Sequence, residues 1–194
     1  MKKFARIVGT GSYLPPRIIT NSELENLLDT TDEWITSRTG IKERRIVEDQ
    51  NTCDLALEAS INALEMAELK ASEIDLIILA TTTPDKIFPA TATTLQDRIG
   101  ASCPAFDIQA VCAGFVFALT TAQQYIENGV AENILVVGSE TMSKIVDWND
   151  RSTAILFGDG AGAVVVSKDN TTGIKHAKLC SDGKYLSSLH VNNN

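Results

Sequence analysis

The segment "DIQAVCAGFVFAL" (residues 107–119) decides the fold, because a single cysteine stands in it where a short strand gives way to a long apolar run. The run continues in a helical pattern to Asn128, and Gly129 follows in the position that commonly ends a helix. We therefore expect a strand, a turn at Cys112 and a helix over residues 112–128. Since the first two turns of this helix are apolar on every side, the helix is expected to lie inside the molecule.

Outward from this junction, strands and helices alternate along the chain. Short apolar runs rich in β-branched residues predict strands that are covered on both faces, over residues 5–11, 74–83, 133–140 and 161–168. Helical patterns lie between them, over residues 20–28, 51–69 and 89–100. Thr20 and Glu23 form a capping box, and Pro89 takes a first-turn position. This alternation indicates an α/β layered architecture.

Length, charge and cysteine spacing exclude several classes of protein. A chain of 194 residues suits one domain with a sizeable core. Its net charge of −8 argues against a protein that binds nucleic acid or an anionic membrane, and the basic run "IKERR" (41–45) is interpreted as a solvated face. We find neither a signal peptide nor a membrane-spanning stretch. The four cysteines are far apart, which predicts free thiols in the cytoplasm and no metal site.

Two glycine motifs are interpreted as structural. "GTGSYL" (9–14) begins like a dinucleotide-binding fingerprint, but its third glycine is missing and Pro15-Pro16 prevent a helix from starting there. "FGDGAGA" (157–163) precedes a β-branched strand and is interpreted as a tight turn into that strand. Neither motif therefore predicts a phosphate site.

Cys112 stands where a thiol can act as a nucleophile. At the first turn of a helix, unpaired backbone N–H groups and the helix dipole favour thiolate over thiol. Ala113 and Gly114 leave room for a substrate carbonyl, whose developing oxyanion can meet backbone N–H groups. The apolar helix excludes water from a covalent intermediate. These features together point to an acyl-accepting nucleophile, and Cys53, Cys103 and Cys180 do not combine them.

Four segments together resemble β-ketoacyl-acyl-carrier-protein synthase III of the thiolase superfamily: "DIQAVCAGF", "DEWITSRTGI" (32–41), "FPATA" (88–92) and "FGDGAGA". The resemblance implies a thiolase-like layered αβαβα fold, of which this chain supplies the first half. Residues 1–170 would form that amino-terminal half with its nucleophilic cysteine. Residues 171–194 would begin the second half, where we expect the chain to be truncated.

The same resemblance implies an acyltransferase that initiates type II fatty-acid synthesis. Such an enzyme takes an acyl group from acyl-CoA, here expected to be acetyl-CoA, as a thioester on Cys112. It then condenses the group with malonyl-acyl-carrier protein, which gives a 3-ketoacyl-acyl-carrier protein and CO2. The implied protein is a cytoplasmic homodimer with no permanently bound cofactor, and acyl-CoA is its substrate.

The resemblance implies binding roles for six further residues. The nucleotide end of coenzyme A would be held by Trp34, Arg38 and Arg151. The acyl pocket would be lined by Phe88, Met142 and Phe157, with Phe88 in a loop that reaches the partner protomer. By residue type alone, these arginines would be surface ion-pair partners and the apolar side chains would belong to the core.

One departure from the family bears on the reaction. The family's catalytic histidine and asparagine, and a glycine of its oxyanion hole, come from the second half of the fold, and His176 and His190 match neither motif. We therefore expect this chain alone to be acylated without condensing, and to expose a large apolar surface. Two alternatives stay open: a synthase III-like enzyme of secondary metabolism, and a catalytically incomplete half-domain that acts in dimerisation or carrier-protein binding.

Overall fold

A computed structural model describes residues 3–191 and contains a five-stranded mixed sheet. Its strands, in spatial order, are β1 (Phe4–Tyr13), β7 (Asp159–Asp169), β6 (Asn133–Thr141), β4 (Leu76–Ala80) and β5 (Ala105–Ile108). β7 is antiparallel to both β1 and β6, whereas β6, β4 and β5 are parallel to one another. The three parallel strands therefore end at one edge of the sheet.

A small hairpin and six helices complete the regular structure of the described residues. The hairpin pairs β2 (Arg17–Thr20) with β3 (Glu43–Ile46) in antiparallel fashion. The helices are α1 (Asn21–Glu25), α2 (Asp32–Thr39), α3 (Thr52–Ala67), α4 (Thr91–Ile99), α5 (Gly114–Glu127) and α6 (Arg151–Ala154). The predicted α/β class is confirmed. Across residues 3–191, no helix has the length and apolar character needed to cross a membrane.

The sheet separates two apolar cores. One core lies between the sheet and the pair α3 and α4, and includes Leu55, Leu79 and Val165. The other lies between the opposite face and α5, and includes Ala118 and Ile134. Every residue of β4 is buried, as predicted for a strand covered on both faces. The chain thus forms three layers, with helices on either side of a sheet.

The glycines of "GTGSYL" let α3 pack directly on β1. A Cβ atom at Gly9 would lie 2.2 Å from the carbonyl oxygen of Ala63, and one at Gly11 would lie 2.2 Å from that of Ala59. No side chain fits between backbones this close. The motif is therefore structural, as the sequence indicated, but its purpose is helix-to-strand packing.

Gly11→Ala is expected to lower the free energy of unfolding by about 1–3 kcal/mol, because α3 must move away from β1. Denaturant unfolding measures the change. Gly183→Ala is the matched control, since no atom lies within 4 Å of its Cβ position. Equal unfolding midpoints for the two variants would contradict this account of the packing.

The prediction for the helix after Cys112 needs two corrections. The α-helix starts at Gly114, and Cys112 lies in a preceding 3₁₀ turn, Val111–Ala113. Only one side of α5 is covered by the sheet, so that Val116 is 48% exposed, and Val111 in the preceding turn is 57% exposed. The helix therefore does not lie inside the molecule that residues 3–191 form. An apolar helix surface remains exposed, as the resemblance led us to expect.

Several local predictions were also wrong. Helix α4 begins at Thr91, two residues after Pro89, and α1 ends at Glu25 although its predicted capping box is present. The glycines at 160 and 162 lie within β7 itself. The division at residue 170 stays a prediction, and residues 1–2 and 192–194 lie outside the described part of the chain.

The basic run "IKERR" is not simply a solvated face. The first of its two arginines, Arg44, is 5% exposed, because side chains alternate along β3 and Arg44 lies on the buried face while Arg45 lies on the other. Burial lowers the pKa of the Arg44 guanidinium. The partners of this buried cation are described below.

Candidate active site at the carboxyl end of the parallel strands

All of the predicted site residues outside α2 lie along one edge of the main sheet. Cys112 follows β5, Phe88 follows β4 and Met142 follows β6, each at the carboxyl end of a parallel strand. Thr141 pairs with Asp159, so the start of β7 lies at the same edge, and Arg151 and Phe157 precede it. The carboxyl edge of a parallel sheet is where α/β proteins commonly bind ligands.

Cys112 is exposed at the tip of a strained turn. Val111, the residue before it, has φ +47°, a left-handed conformation that a β-branched residue rarely adopts. Gly114 packs against the end of β4, where a Cβ atom would lie 3.2 Å from that of Ala80. Strain of this kind persists only where the surrounding structure imposes it, and it is concentrated at functional sites.

The amides of this turn are mostly engaged. The N–H of Ala113 donates to the carbonyl of Ala110 at 3.1 Å, and the N–H of Gly114 donates to the carbonyl of Val111. The expectation that several of these N–H groups await an oxyanion was therefore wrong. The amide of Cys112 itself is a candidate donor within the turn.

Trp34, Arg38 and Arg151 lie together. Thr31 caps α2 by accepting a hydrogen bond from the N–H of Trp34, and Arg38 lies one turn further along the helix. The Arg38 guanidinium is 4.4 Å from the centroid of the Trp34 ring, and that of Arg151 is 4.8 Å from it. Arg151 also donates to the carbonyl of Asp29. We call Trp34, Arg38 and Arg151 the indole cluster.

The indole cluster has the chemistry of a nucleotide site. The half-buried indole offers a face on which a base can stack, and the two guanidinium groups beside it are exposed. Guanidinium groups form bidentate hydrogen bonds with phosphate oxygens. An aromatic ring with two such cations beside it therefore suits a ligand that carries both a base and phosphates.

The three residues of the predicted acyl pocket have different environments. Phe88 is 82% exposed on the loop between β4 and α4, and Ile87 beside it is 96% exposed. Met142 and Phe157 are half-buried. Met142 starts the 3₁₀ turn after β6, and Phe157 lies two residues before β7. The structure thus brings Met142 and Phe157 to neighbouring strand ends and leaves Phe88 on a projecting loop.

Comparison with known proteins agrees with this geometry. Residues 106–183 match the family model of 3-oxoacyl-[acyl-carrier-protein] synthase III. The chain is 67% identical over 194 residues to the β-ketoacyl-[acyl-carrier-protein] synthase III of Vesicomyosocius okutanii, with coverage of 100% of this chain and 62% of that protein.

This chain is similar over its length to β-ketoacyl-[acyl-carrier-protein] synthase III proteins.

Solved structures of similar proteins support a thiolase-like fold for this chain. The 3-oxoacyl-[acyl-carrier-protein] synthase III of Aquifex aeolicus VF5 is 53% identical, with a TM-score of 0.85 over 86% of this chain and 54% of that one. The priming β-ketosynthase of the R1128 polyketide pathway is 41% identical, with a TM-score of 0.94 over 97% and 57%. The chain spans about three fifths of the length of the curated relatives that it matches.

Sequence reasoning missed two carboxylates that hold the loops of the candidate site. Asp107, in β5, accepts hydrogen bonds from the N–H groups of Thr91 and Ala92, both at 2.7 Å, and thereby caps α4. Glu140, in β6, accepts from the N–H groups of Thr82 and Thr83 at 2.7 and 3.1 Å. Both carboxylates tie the loop that carries Phe88 to strands at the cysteine edge. No sequence pattern identifies them, since their partners lie far along the chain.

A third carboxylate, Asp159, holds the turn that carries Met142. It is 5% exposed and accepts hydrogen bonds from the N–H of Ser143 at 2.8 Å, from the Ser143 hydroxyl, and from the N–H of Val47 at 2.7 Å. Trp148 Nε1 donates to the carbonyl of Ser143. The aspartate of "FGDGAGA" therefore joins β3, β7 and the turn after β6.

Asp159→Asn is expected to destabilise the fold by about 1–3 kcal/mol, because an amide NH2 group replaces one acceptor and leaves a buried N–H without a partner. The free energy of unfolding in urea measures the loss. Asp49→Asn, at an exposed aspartate, is the matched control. A loss in the Asp159 variant no larger than in this control would show that these hydrogen bonds contribute little.

Two of the remaining thiols are inert by environment. Burial raises the pKa of the Cys53 thiol and that of the Cys103 thiol, so both stay protonated at neutral pH. Cys180 is exposed in an irregular segment. Within residues 3–191, no three His, Cys, Asp or Glu side chains are grouped so that they could hold a metal ion.

Proposed function

We propose that the protein carrying this chain is an acyltransferase of synthase III type. It takes an acyl group from acyl-CoA onto Cys112 and condenses it with malonyl-acyl-carrier protein, which begins type II fatty-acid synthesis. The observation that carries the proposal is the exposed Cys112 thiol on a strained turn at the start of α5. A structural cysteine would be buried and would need no such turn.

The acyl donor is a coenzyme A thioester. The indole cluster supports this choice, since its ring and its two guanidinium groups match a base and the phosphates of a nucleotide. Trp34, Arg38 and Arg151 bind the nucleotide end, and Phe88, Met142 and Phe157 surround the acyl chain. No permanently bound cofactor is needed, because the substrate thioester supplies the activated carbonyl.

The reaction has two stages. The Cys112 thiolate attacks the acyl-CoA carbonyl, and a new carbon–sulfur bond forms while the bond to the coenzyme A sulfur breaks. Coenzyme A leaves as a thiolate and takes up a proton. Malonyl-acyl-carrier protein then loses CO2, and the resulting carbanion attacks the acyl carbon. A carbon–carbon bond forms and the Cys112 sulfur departs, which regenerates the thiolate.

Intact-protein mass spectrometry tests the first stage. After incubation with acetyl-CoA, we expect the mass to increase by one acetyl group, and peptide mapping to locate this group on Cys112. Malonyl-acyl-carrier protein should then remove the group with release of CO2 and formation of a 3-ketoacyl-acyl-carrier protein. A protein that stays unmodified after exposure to acetyl-CoA and to longer acyl-CoA thioesters would contradict the proposal.

A second candidate is the same chemistry in secondary metabolism. The high structural similarity to the priming β-ketosynthase of a polyketide pathway favours this alternative. The two functions differ in the acyl primer and in the carrier protein. Acylation rates measured with acetyl-, propionyl- and hexanoyl-CoA, each followed by transfer to a fatty-acid or a polyketide carrier protein, distinguish them.

The proposal includes a cellular setting and a subunit arrangement. The enzyme acts in the cytoplasm, where free thiols persist and malonyl-acyl-carrier protein is available. It acts as a homodimer, and the exposed Ile87 and Phe88 on the loop before α4 meet the partner protomer. Sedimentation analysis of the protein and of an Ile87→Asp, Phe88→Asp variant tests the dimer, which this variant should dissociate.

A further inference from the structure

Within residues 3–191, the buried guanidinium of Arg44 is held by neutral acceptors and forms no ion pair. Arg44 Nη1 donates to Asn21 Oδ1 at 2.8 Å, and Nη2 donates to the carbonyl of Ile155 at 2.8 Å. Nη1 also reaches the carbonyl of Ile19 at 3.4 Å. Removing a cation from water costs free energy that neutral acceptors offset only in part. An apolar side chain would fill this place at lower cost, so the hairpin's own stability does not account for the arginine.

Asn21 extends this contact to α2. The asparagine is 1% exposed, and its Nδ2 donates to Asp32 Oδ1 at 2.7 Å and to the carbonyl of Ile41 at 2.8 Å. Thr36, on the same helix as Asp32, also lies within reach of this amide at 3.3 Å. A continuous line of hydrogen bonds therefore runs from Ile155 through Arg44 and Asn21 to α2.

The two ends of this line are the two elements that build the indole cluster. α2 carries Trp34 and Arg38, and α6, which begins with Arg151, ends immediately before Ile155. A helix of four residues is not stable by itself, so α6 takes its position from its contacts. The bond from Arg44 to the carbonyl of Ile155 is one such contact, and it sets α6 against α2.

We propose that Arg44, acting through Asn21, is a positioning residue for the nucleotide end of the coenzyme A thioester. It fixes the separation of α2 and α6, and thereby the position of the Arg151 guanidinium relative to the Trp34 ring, the two groups from different elements that bind the nucleotide. The inference rests on the proposed function, because it assigns a specificity role within the same site. Arg44 touches neither the reacting carbonyl nor Cys112.

The test compares two acyl donors in the protein as its gene encodes it. Acetyl-CoA carries the nucleotide, whereas S-acetyl-N-acetylcysteamine presents the same reactive thioester without it. The first variant, Arg44→Lys, keeps the positive charge but loses the planar guanidinium with its several donors. The second, Asn21→Asp, keeps an acceptor for Arg44 but loses the amide that donates to α2. Arg45→Gln, on the opposite face of β3, is the matched control. The readout is the rate of Cys112 acylation against donor concentration.

In both variants we expect the acetyl-CoA concentration for half-maximal acylation to rise by roughly 10- to 100-fold, because a small displacement of a binding group strongly weakens its interaction with the ligand. Acylation by the short thioester should stay within about twofold of the wild type, and Arg45→Gln should match the wild type with both donors.

Three results would overturn the inference. Unchanged acetyl-CoA dependence in both variants would show that Arg44 does not position the cluster. If the variants lost acylation equally with both donors, including through failure to fold, Arg44 would be a determinant of the whole fold and not of the nucleotide site. If the wild type were acylated by the short thioester but not by any acyl-CoA, the nucleotide site itself would be wrong. Failure of the wild type with both donors would instead contradict the proposed function.

Discussion

The Cys112→Ala protein is expected to take up no acyl group from acetyl-CoA, and its rate of 3-ketoacyl product formation should fall by a factor on the order of 10⁶, as when other enzymes lose their nucleophile. The reason is chemical, because alanine offers no atom that can accept the acyl group. Cys112 is exposed, so its replacement leaves no cavity and should not change the fold. Intact mass and product formation are the two measurements.

Cys180→Ala is the control for the cysteine substitution. Cys180 is also exposed, but it lies in an irregular segment and does not precede an α-helix. This variant should gain one acetyl group at the wild-type rate. If acetylation persisted in Cys112→Ala and disappeared in Cys180→Ala, Cys180 would be the nucleophile and our assignment of Cys112 would be wrong.

Trp34→Ala is expected to raise the acetyl-CoA concentration for half-maximal acylation by roughly 5- to 150-fold, because stacking of a base on an aromatic ring contributes about 1–3 kcal/mol. The maximal acylation rate should change little, since Trp34 lies on α2 and not at the cysteine turn. Removing the ring also leaves the two guanidinium groups without the surface that now orders them.

Trp148→Phe is the matched control for this prediction. Trp148 is the other tryptophan of the chain and is also half-buried, but it donates a hydrogen bond to Ser143 and takes no part in the indole cluster. The acetyl-CoA dependence of this variant should stay close to that of the wild type. If Trp34→Ala lowered the maximal rate and left the concentration dependence unchanged, Trp34 would have a role in catalysis or folding and not in binding.

Local sequence signals predicted the elements whose stability is local. α3 and α4 follow their apolar periodicity, and α4 and α5 end at or just before glycines with positive φ, Gly100 and Gly129. β4 and β6 are buried on both faces as their composition indicated. The hairpin of β2 and β3 escaped prediction, because each strand has four residues and the second is mostly charged. Its pairing depends on distant contacts such as that of Arg44 with Ile155.

The contacts of the candidate site also divide into those that local sequence predicts and those that depend on tertiary structure. Arg38 lies over Trp34 because residues four apart share a helix face, so that this contact could be inferred from spacing alone. The approach of Arg151 depends on tertiary structure and became an expectation only through the family resemblance. The left-handed Val111 could not be predicted, since local preference opposes this conformation in a β-branched residue. Residue composition alone placed α5 inside the molecule, because both the buried and the exposed faces of this helix are apolar, and only the family resemblance indicated that one face is exposed.

The central claim is that Cys112 is the activated thiol of this chain, and alkylation at neutral pH tests it most directly. Folded protein is exposed to limiting iodoacetamide, and the modification of each cysteine is followed with time by peptide mass spectrometry. We predict that Cys112 reacts first and Cys180 more slowly, while Cys53 and Cys103 stay protected because burial shields them and raises the pKa of each thiol. Modification of the other three thiols while Cys112 is spared would contradict the account.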